Sequence, residues 1–116
     1  MKINSQHYLT LRKLVNFSSS IADLTHELSL LNYDEEKVYL IDSMSIIKVL
    51  DLYIKGSRTN EEIESWANLI ELREDLYYEK ERYAEIEEAI NILANPILFG
   101  SLTHLVAQSL IDKLEK

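Results

Sequence analysis

The chain has 116 residues, of which 47% are apolar and 28% are charged, a composition typical of one folded domain with a single core. It has no cysteine, which excludes disulfide bonds, thiolate metal sites and cysteine nucleophiles. Its net charge of −8 argues against direct binding of nucleic acid, and no apolar run is long enough for a signal peptide or a membrane span. We therefore expect a soluble protein of the cytoplasm.

Helical periodicity runs through the whole chain, and two glycines and one proline leave few turns. There is no Asn-Gly or Asp-Gly pair and no useful polar/apolar alternation, so hairpins are not expected. The pattern predicts an all-α fold, a single-domain bundle over residues 1–116. The six predicted helices cover about 5–16, 20–31, 34–55, 60–72, 81–94 and 101–116.

The second and third predicted helices carry terminal signals. Ser20 is the predicted N-cap of the second, with Asp23 three residues later. The third is the longest, with three acidic residues at its start and Gly56 as its predicted C-cap. Its apolar residues lie on more than one side, which is typical of a central helix.

The fourth predicted helix begins after Thr59 or Asn60, with Asn60 a candidate N-cap, and contains the only tryptophan, Trp66. A single apolar stripe with helical spacing is formed by Ile63, Trp66, Ala67 and Ile70. Trp66 is therefore predicted to be a core residue. The pattern weakens after Leu72, which predicts a bend or loop over about 74–81.

The last two predicted helices are separated by a proline. Asn95-Pro96 is expected to end the fifth helix, because a residue before proline avoids helical geometry. The apolar connector "PILFG" is expected to pack onto the core. The apolar sides of the two helices are predicted to be Tyr83, Ile86, Ile90 and Leu93, and then Leu102, Leu105, Val106, Leu110 and Leu114.

The sequence offers little for catalysis. The histidines His7, His26 and His104 lie on three different predicted helices, so each is expected to be half-exposed and no metal site is predicted. Two isolated glycines cannot build a phosphate-binding loop. Carboxylates are plentiful, but no pair has the apolar setting that general acid catalysis needs. We expect no catalytic residue, no metal and no cofactor, and hence a protein that is not an enzyme.

The charge excess is concentrated in residues 61–88. This segment has eleven acidic and three basic residues, whereas the rest of the chain has nine of each. Such a field attracts basic partners, although well-solvated helix faces have the same composition. Tyr77 and Tyr78 are adjacent, so they cannot both face the core. One of them could anchor a basic cleft, such as the active site of a nuclease, or both could pack against neighbouring helices.

The segments "ESWANLIELREDLYYE" and "LANPILFGSLT" resemble a pattern of small bacterial immunity proteins, which belong to contact-dependent growth inhibition and related polymorphic toxin systems. The resemblance covers about residues 64–103. It implies a cytoplasmic toxin inhibitor that binds one cognate toxin domain, often a basic nuclease, through a protein-protein interface. The matching residues are Trp66, Ala67, Glu71, Arg73, Glu74, Asp75, Tyr78, Glu79, Leu93, Ala94, Asn95 and Pro96.

The predicted roles divide between scaffold and partner contact. Arg73 is expected to bridge neighbouring carboxylates, and Trp66 to belong to the scaffold. The predicted partner contacts are Glu71, Glu74, Asp75, Tyr77, Tyr78, Glu79, Glu85 and Glu88. The alternative function is a helical adaptor that oligomerises or binds a partner through an apolar face, for which the third helix has apolar surface to spare. A monomer is favoured.

Overall fold

The computed structural model describes residues 5–31 and 36–116, and within them the fold is mostly helical. The helices are α1 (Ser5–Asn16), α2 (Ile21–Ser29), α3 (Ser43–Ile54), α4 (Asn60–Glu71), α5 (Tyr83–Ala94), α6 (Pro96–Phe99) and α7 (His104–Glu115). Two short strands, β1 (Tyr39–Ile41) and β2 (Leu76–Tyr78), form a small sheet, and a 3₁₀ turn, Lys80–Arg82, precedes α5. The all-α prediction is confirmed. None of the described helices has the length and apolar character of a membrane span.

Side-chain caps fix the starts of α2 and α4. The hydroxyl of Ser20 accepts the backbone N–H of Asp23 at 3.1 Å, so the predicted cap of α2 is confirmed. Of the two predicted starts of α4, the one after Thr59 is confirmed, because Thr59 is the N-cap and Asn60 is already helical. Thr59 and Glu62 form a capping box in which each side chain accepts the other's backbone N–H. The hydrogen bond from the Thr59 backbone is the main cause of the lowered pKa of Glu62.

The predicted long third helix is wrong in its first part. Residues 34 and 35 lie outside the described residues, Glu36 lies in a bend, and β1 occupies 39–41. The helix begins only at Ser43, because the Asp42 side chain accepts the backbone N–H of Ser45 at 2.8 Å and caps it. The sequence pattern predicts helix for the apolar run before Asp42, because a three-residue strand is too short to establish a period.

The predicted C-cap of α3 is off by one residue, because Lys55 is the C-cap and Gly56 follows it. The φ of Gly56, +83°, lies in the left-handed region that glycine adopts at little cost. The N–H groups of Gly56 and Ser57 bond to the carbonyls of Tyr53 and Leu52, which is the Schellman pattern. The chain can therefore reverse between α3 and α4.

The sequence pattern predicts helical structure over the whole chain and does not indicate the sheet formed by β1 and β2. β1 and β2 are parallel, with Leu40 opposite Tyr77 and Ile41 opposite Tyr78. Because side chains alternate along a strand, the two tyrosines of β2 point in different directions. Tyr77 is exposed, whereas Tyr78 packs against the core, so the prediction that they differ is confirmed.

Trp66 lies at the centre of the core, fully buried as predicted. Its indole N–H donates to the carbonyl of Leu14 at 2.7 Å, and its ring stacks on Phe17 with 8° between the planes. This contact joins α4 to α1. The apolar surface of α3, predicted as a spare face, is largely covered, since α3 packs extensively on α7 and also on α1, α4 and α5.

The prediction that "PILFG" packs onto the core is wrong. Pro96 does end α5, but it also begins α6, a single turn in which Asn95 accepts backbone N–H groups from two later residues. Ile97 and Leu98 are 98% and 75% exposed. Leu105 and Tyr83, predicted to face inward on α7 and α5, are also exposed. These side chains belong to the surface.

Candidate functional site

The predicted contact Asp75 is not on the surface. It is only 1% exposed, and its carboxylate accepts hydrogen bonds from Arg73 at 2.6 and 3.0 Å. The ring Nε2 of His7 lies 2.7 Å from its Oδ2 atom. Burial would raise the pKa of Asp75, but the hydrogen bonds from Arg73 and His7 outweigh it and hold that pKa below its usual value. The expectation that Arg73 pairs with a neighbouring carboxylate is confirmed for Asp75, which it binds through both carboxylate oxygens.

Two corrections follow from this cluster. Asp75, predicted as a partner contact, is internal, since its carboxylate fixes α1 to the segment after α4. His7, predicted to be half-exposed, is buried. Neither side chain is accessible to a partner in the folded protein.

Three other predicted contacts have structural surroundings of their own. The carboxylate of Glu79 accepts the backbone N–H of Ser43 at 3.2 Å, which satisfies a donor at the start of α3. Glu85 lies in a shallow depression together with three basic residues: Arg82, Lys113 and Lys116. Glu74 is exposed, and its carbonyl accepts a hydrogen bond from the Lys37 ammonium at 2.7 Å.

The remaining acidic contacts and one tyrosine converge in an open groove between the end of α4 and the outer side of α5. This α4–α5 groove has a volume of about 800 Å³. Three of its residues are glutamates, and its lining includes no lysine or arginine. It is lined by Glu71, Leu72, Tyr78, Ala84, Glu87, Glu88, Ile90 and Asn91.

The groove combines apolar surface with a negative field. Leu72 is 78% exposed within it. Burial, together with the charges of Glu71 and Glu87 and the neighbouring Tyr83, raises the pKa of Tyr78 to about 12. The phenol of Tyr78 therefore stays neutral at physiological pH, where it is a hydrogen-bond donor in acidic surroundings.

Two of the three groove carboxylates form no ion pair with any residue that the structure describes. Glu88 forms an ion pair with Lys113 at 3.1 Å. Within residues 5–31 and 36–116, neither Glu71 nor Glu87 is within ion-pair distance of a basic side chain. Glu71 is also the last residue of α4, where the helix dipole disfavours a negative charge. The position of Glu71 therefore works against helix stability.

Tyr77 belongs to an adjacent depression of mixed charge. This depression shares Tyr78 and Glu87 with the groove but also contains Lys37 and Arg73. Tyr77 therefore lies beside the α4–α5 groove and not in its acidic part.

Sequence reasoning missed Leu72 and Glu87. A signal for Glu87 was present, because Ala84, Glu87, Glu88 and Asn91 have the i, i+3, i+4, i+7 spacing of one helix face. For Leu72 there was none, since a leucine at the end of an amphipathic helix is as often buried as exposed. Among the described residues, no group of three histidine or carboxylate side chains is placed to hold a metal ion.

No family model, curated protein or solved structure matches this chain.

Proposed function

We propose that this protein is an immunity protein that binds and neutralises one cognate bacterial toxin domain through the α4–α5 groove. The observation that carries the proposal is the combination, in one open groove, of exposed Leu72 with the carboxylates of Glu71 and Glu87, which form no ion pair within the described part of the chain. A basic segment of a toxin would supply the missing cations. A nuclease has such a segment, because its active site binds phosphates.

The apolar residues and the acidic residues of the groove both have a role in the proposed interface. Burial of Leu72 and the ring of Tyr78 removes water, so the charge pairs formed around them interact more strongly than exposed pairs do. The acidic field of residues 61–88 accelerates the encounter with a basic partner. Association should consequently slow as the salt concentration rises.

The structure changes the set of proposed contacts. The groove residues are Glu71, Leu72, Tyr78, Glu87 and Glu88. The exposed Tyr77 and Glu74, and the half-buried Glu85, are proposed to contribute at the margin. Asp75 and Glu79 instead hold the segment that carries Tyr78 in place.

The proposal includes a cytoplasmic location for this protein. An inhibitor of a nuclease must bind it in the compartment where the nuclease reaches nucleic acid.

Co-expression with a toxin tests the proposal. The partner is the C-terminal domain of the protein encoded immediately upstream, and bacterial growth is recorded with and without this chain. We expect that domain to be toxic alone and harmless with the wild-type chain. The double variant Glu71→Lys/Glu87→Lys, present at the same soluble level, should protect poorly. Toxicity that persists beside soluble wild-type chain would refute the immunity proposal.

A further inference from the structure

One long segment of the chain contains no Asp, Glu, Lys or Arg. From Ala89 to Ile111 the sequence contains no Asp, Glu, Lys or Arg, although 28% of the chain is charged. The segment comprises the end of α5, all of α6 and the first two turns of α7. Depletion of charge with retention of large apolar residues is characteristic of the centre of a protein interface.

Four large apolar side chains of this segment are exposed. Ile97, Leu98 and Phe99 are 98%, 75% and 51% exposed, and Leu105 is 82% exposed. We call these four residues the apolar ridge. At these exposures they present on the order of 500 Å² of apolar surface, which is as large as the largest patch on a typical monomer.

A small cleft lies directly beside the ridge. This partly open cleft of about 110 Å³ is lined in part by Pro96 and Gly100. These two residues flank the first three residues of the ridge in the sequence. Ile92, Leu93 and Val106 form an apolar part of its lining, and the first turn of α4 contributes a polar part that includes two glutamates. A cleft of this size has room for one compact hydrocarbon group, which would lie against its apolar side at Ile92, Leu93 and Val106.

We propose that the apolar ridge is a self-association surface, through which two copies of this chain form a two-fold symmetric dimer. In such a dimer the same patch is used by both copies, so the ridge of each copy can enter the cleft of the other. Ile97 and Leu98 are the side chains placed to enter, because both are exposed at the middle of α6.

Charge favours a second copy over a basic partner at this surface. Each copy has a net charge of −8, and the excess lies in residues 61–88. A basic protein is attracted to that acidic segment, whereas an identical copy is repelled by it. Two copies approach with least repulsion through the segment that has no charge.

The exposed apolar area of the ridge also supports a dimer. A stable interface buries about 800 Å² on each partner, and the ridge provides roughly 500 Å² of that as its apolar centre. The neighbouring Ser101, Thr103 and Gln108 are exposed and uncharged, so they can form the polar margin. The association is independent of the proposed toxin and requires only this chain.

Sedimentation equilibrium over a range of protein concentrations tests the proposal. We expect wild-type chain to form a dimer reversibly, and added salt to strengthen it because salt screens the repulsion between acidic copies. Leu98→Asp and Leu105→Asp should each weaken association by about tenfold or more. Leu72→Asp is the matched control, because Leu72 is equally exposed but lies in the α4–α5 groove, and it should leave the dimer unchanged.

Three results would overturn the proposal. The first is a wild-type chain that stays monomeric up to about 1 mM. The second is a dimer that survives both ridge substitutions or is lost in Leu72→Asp. The third is a monomer that binds neutral phosphatidylcholine vesicles through Leu98, which would assign the ridge to a lipid surface. Circular dichroism of each variant verifies that the fold is retained.

Discussion

The ring Nε2 of His7 lies 2.7 Å from the Oδ2 atom of Asp75, although 68 residues separate them in the chain. Asp75 also binds the guanidinium of Arg73, so one buried carboxylate joins α1 to the segment that leads into β2. Tyr78, which lines the α4–α5 groove, is the last residue of that strand. The cluster therefore helps to hold β2 in position, and with it Tyr78 of the groove.

Asp75→Asn should destabilise the protein by about 2–3 kcal/mol, because two donors would lose a buried anionic partner. The change preserves the volume of the side chain, so the loss reflects charge and hydrogen bonding more than packing. Urea unfolding gives the free energy. Glu81→Gln is the control, since Glu81 is exposed and its change should stay within about 0.5 kcal/mol. Similar small effects in both variants would contradict the structural role of Asp75.

The same carboxylate predicts an acid dependence of stability. The folded-state pKa of Asp75 is lowered, so its contribution is complete above the unfolded pKa of about 3.9 and is lost as pH falls through the lower folded pKa. The stability difference between wild type and Asp75→Asn should therefore be constant near pH 5 and shrink below about pH 4. Urea unfolding of both proteins at each pH measures this difference. A difference that is unchanged down to pH 2 would be inconsistent with the lowered pKa.

Local features of the fold were predictable from the sequence, and long-range ones were not. Ser20 and Trp66 were predicted correctly, since a cap and an apolar stripe depend on neighbours within a few residues. The pairing of Leu40 with Tyr77 joins segments far apart in the chain, and nothing local encodes it. Exposure of Ile97 also could not be predicted, because its residue type favours burial and only the packed fold shows that no element covers it.

Contacts between residues far apart in the chain also determine which acidic side chains are exposed to a partner. Asp75 and Glu71 are equally acidic in the sequence, but one is buried against Arg73 and the other is exposed in the groove. The sequence shows that the segment is acidic but cannot separate the supporting carboxylates from the accessible ones.

Arg58→Lys should destabilise the protein by about 1–2 kcal/mol. The guanidinium donates to the carbonyls of Phe17 and Ser19 at 2.9 and 3.1 Å, and it lies 3.8 Å from the centroid of the Phe17 ring. These contacts hold the turn after α1, where Phe17 has a φ of +50°. A lysine ammonium cannot stack on the ring and reach both carbonyls at once.

Thermal and urea unfolding measure the effect of Arg58→Lys. Arg12→Lys is the matched control, because Arg12 is an exposed residue of α1 and its replacement should change stability by less than about 0.5 kcal/mol. If the two variants unfold at the same urea concentration, Arg58 does not stabilise the turn as described.

Glu71→Lys should change stability and toxin binding in opposite directions. A lysine at the end of α4 interacts favourably with the helix dipole and removes a negative charge from the groove, so stability should rise by about 0.3–1 kcal/mol. Under the proposed function, the same change places a cation in the contact surface and should slow association with the toxin domain by about tenfold. Urea unfolding measures the first quantity and stopped-flow association the second.

Glu115→Lys is the matched control for this prediction. Glu115 is the exposed last residue of α7, so the substitution changes net charge and the dipole interaction in the same way as Glu71→Lys. It lies outside the α4–α5 groove. We expect a similar gain in stability with little change in association rate. If both variants slow association equally, only the total charge matters and the groove has no specific role. If Glu71→Lys binds as fast as wild type, Glu71 is not part of the contact surface, because a lysine there would repel a basic toxin. The toxin would then bind elsewhere.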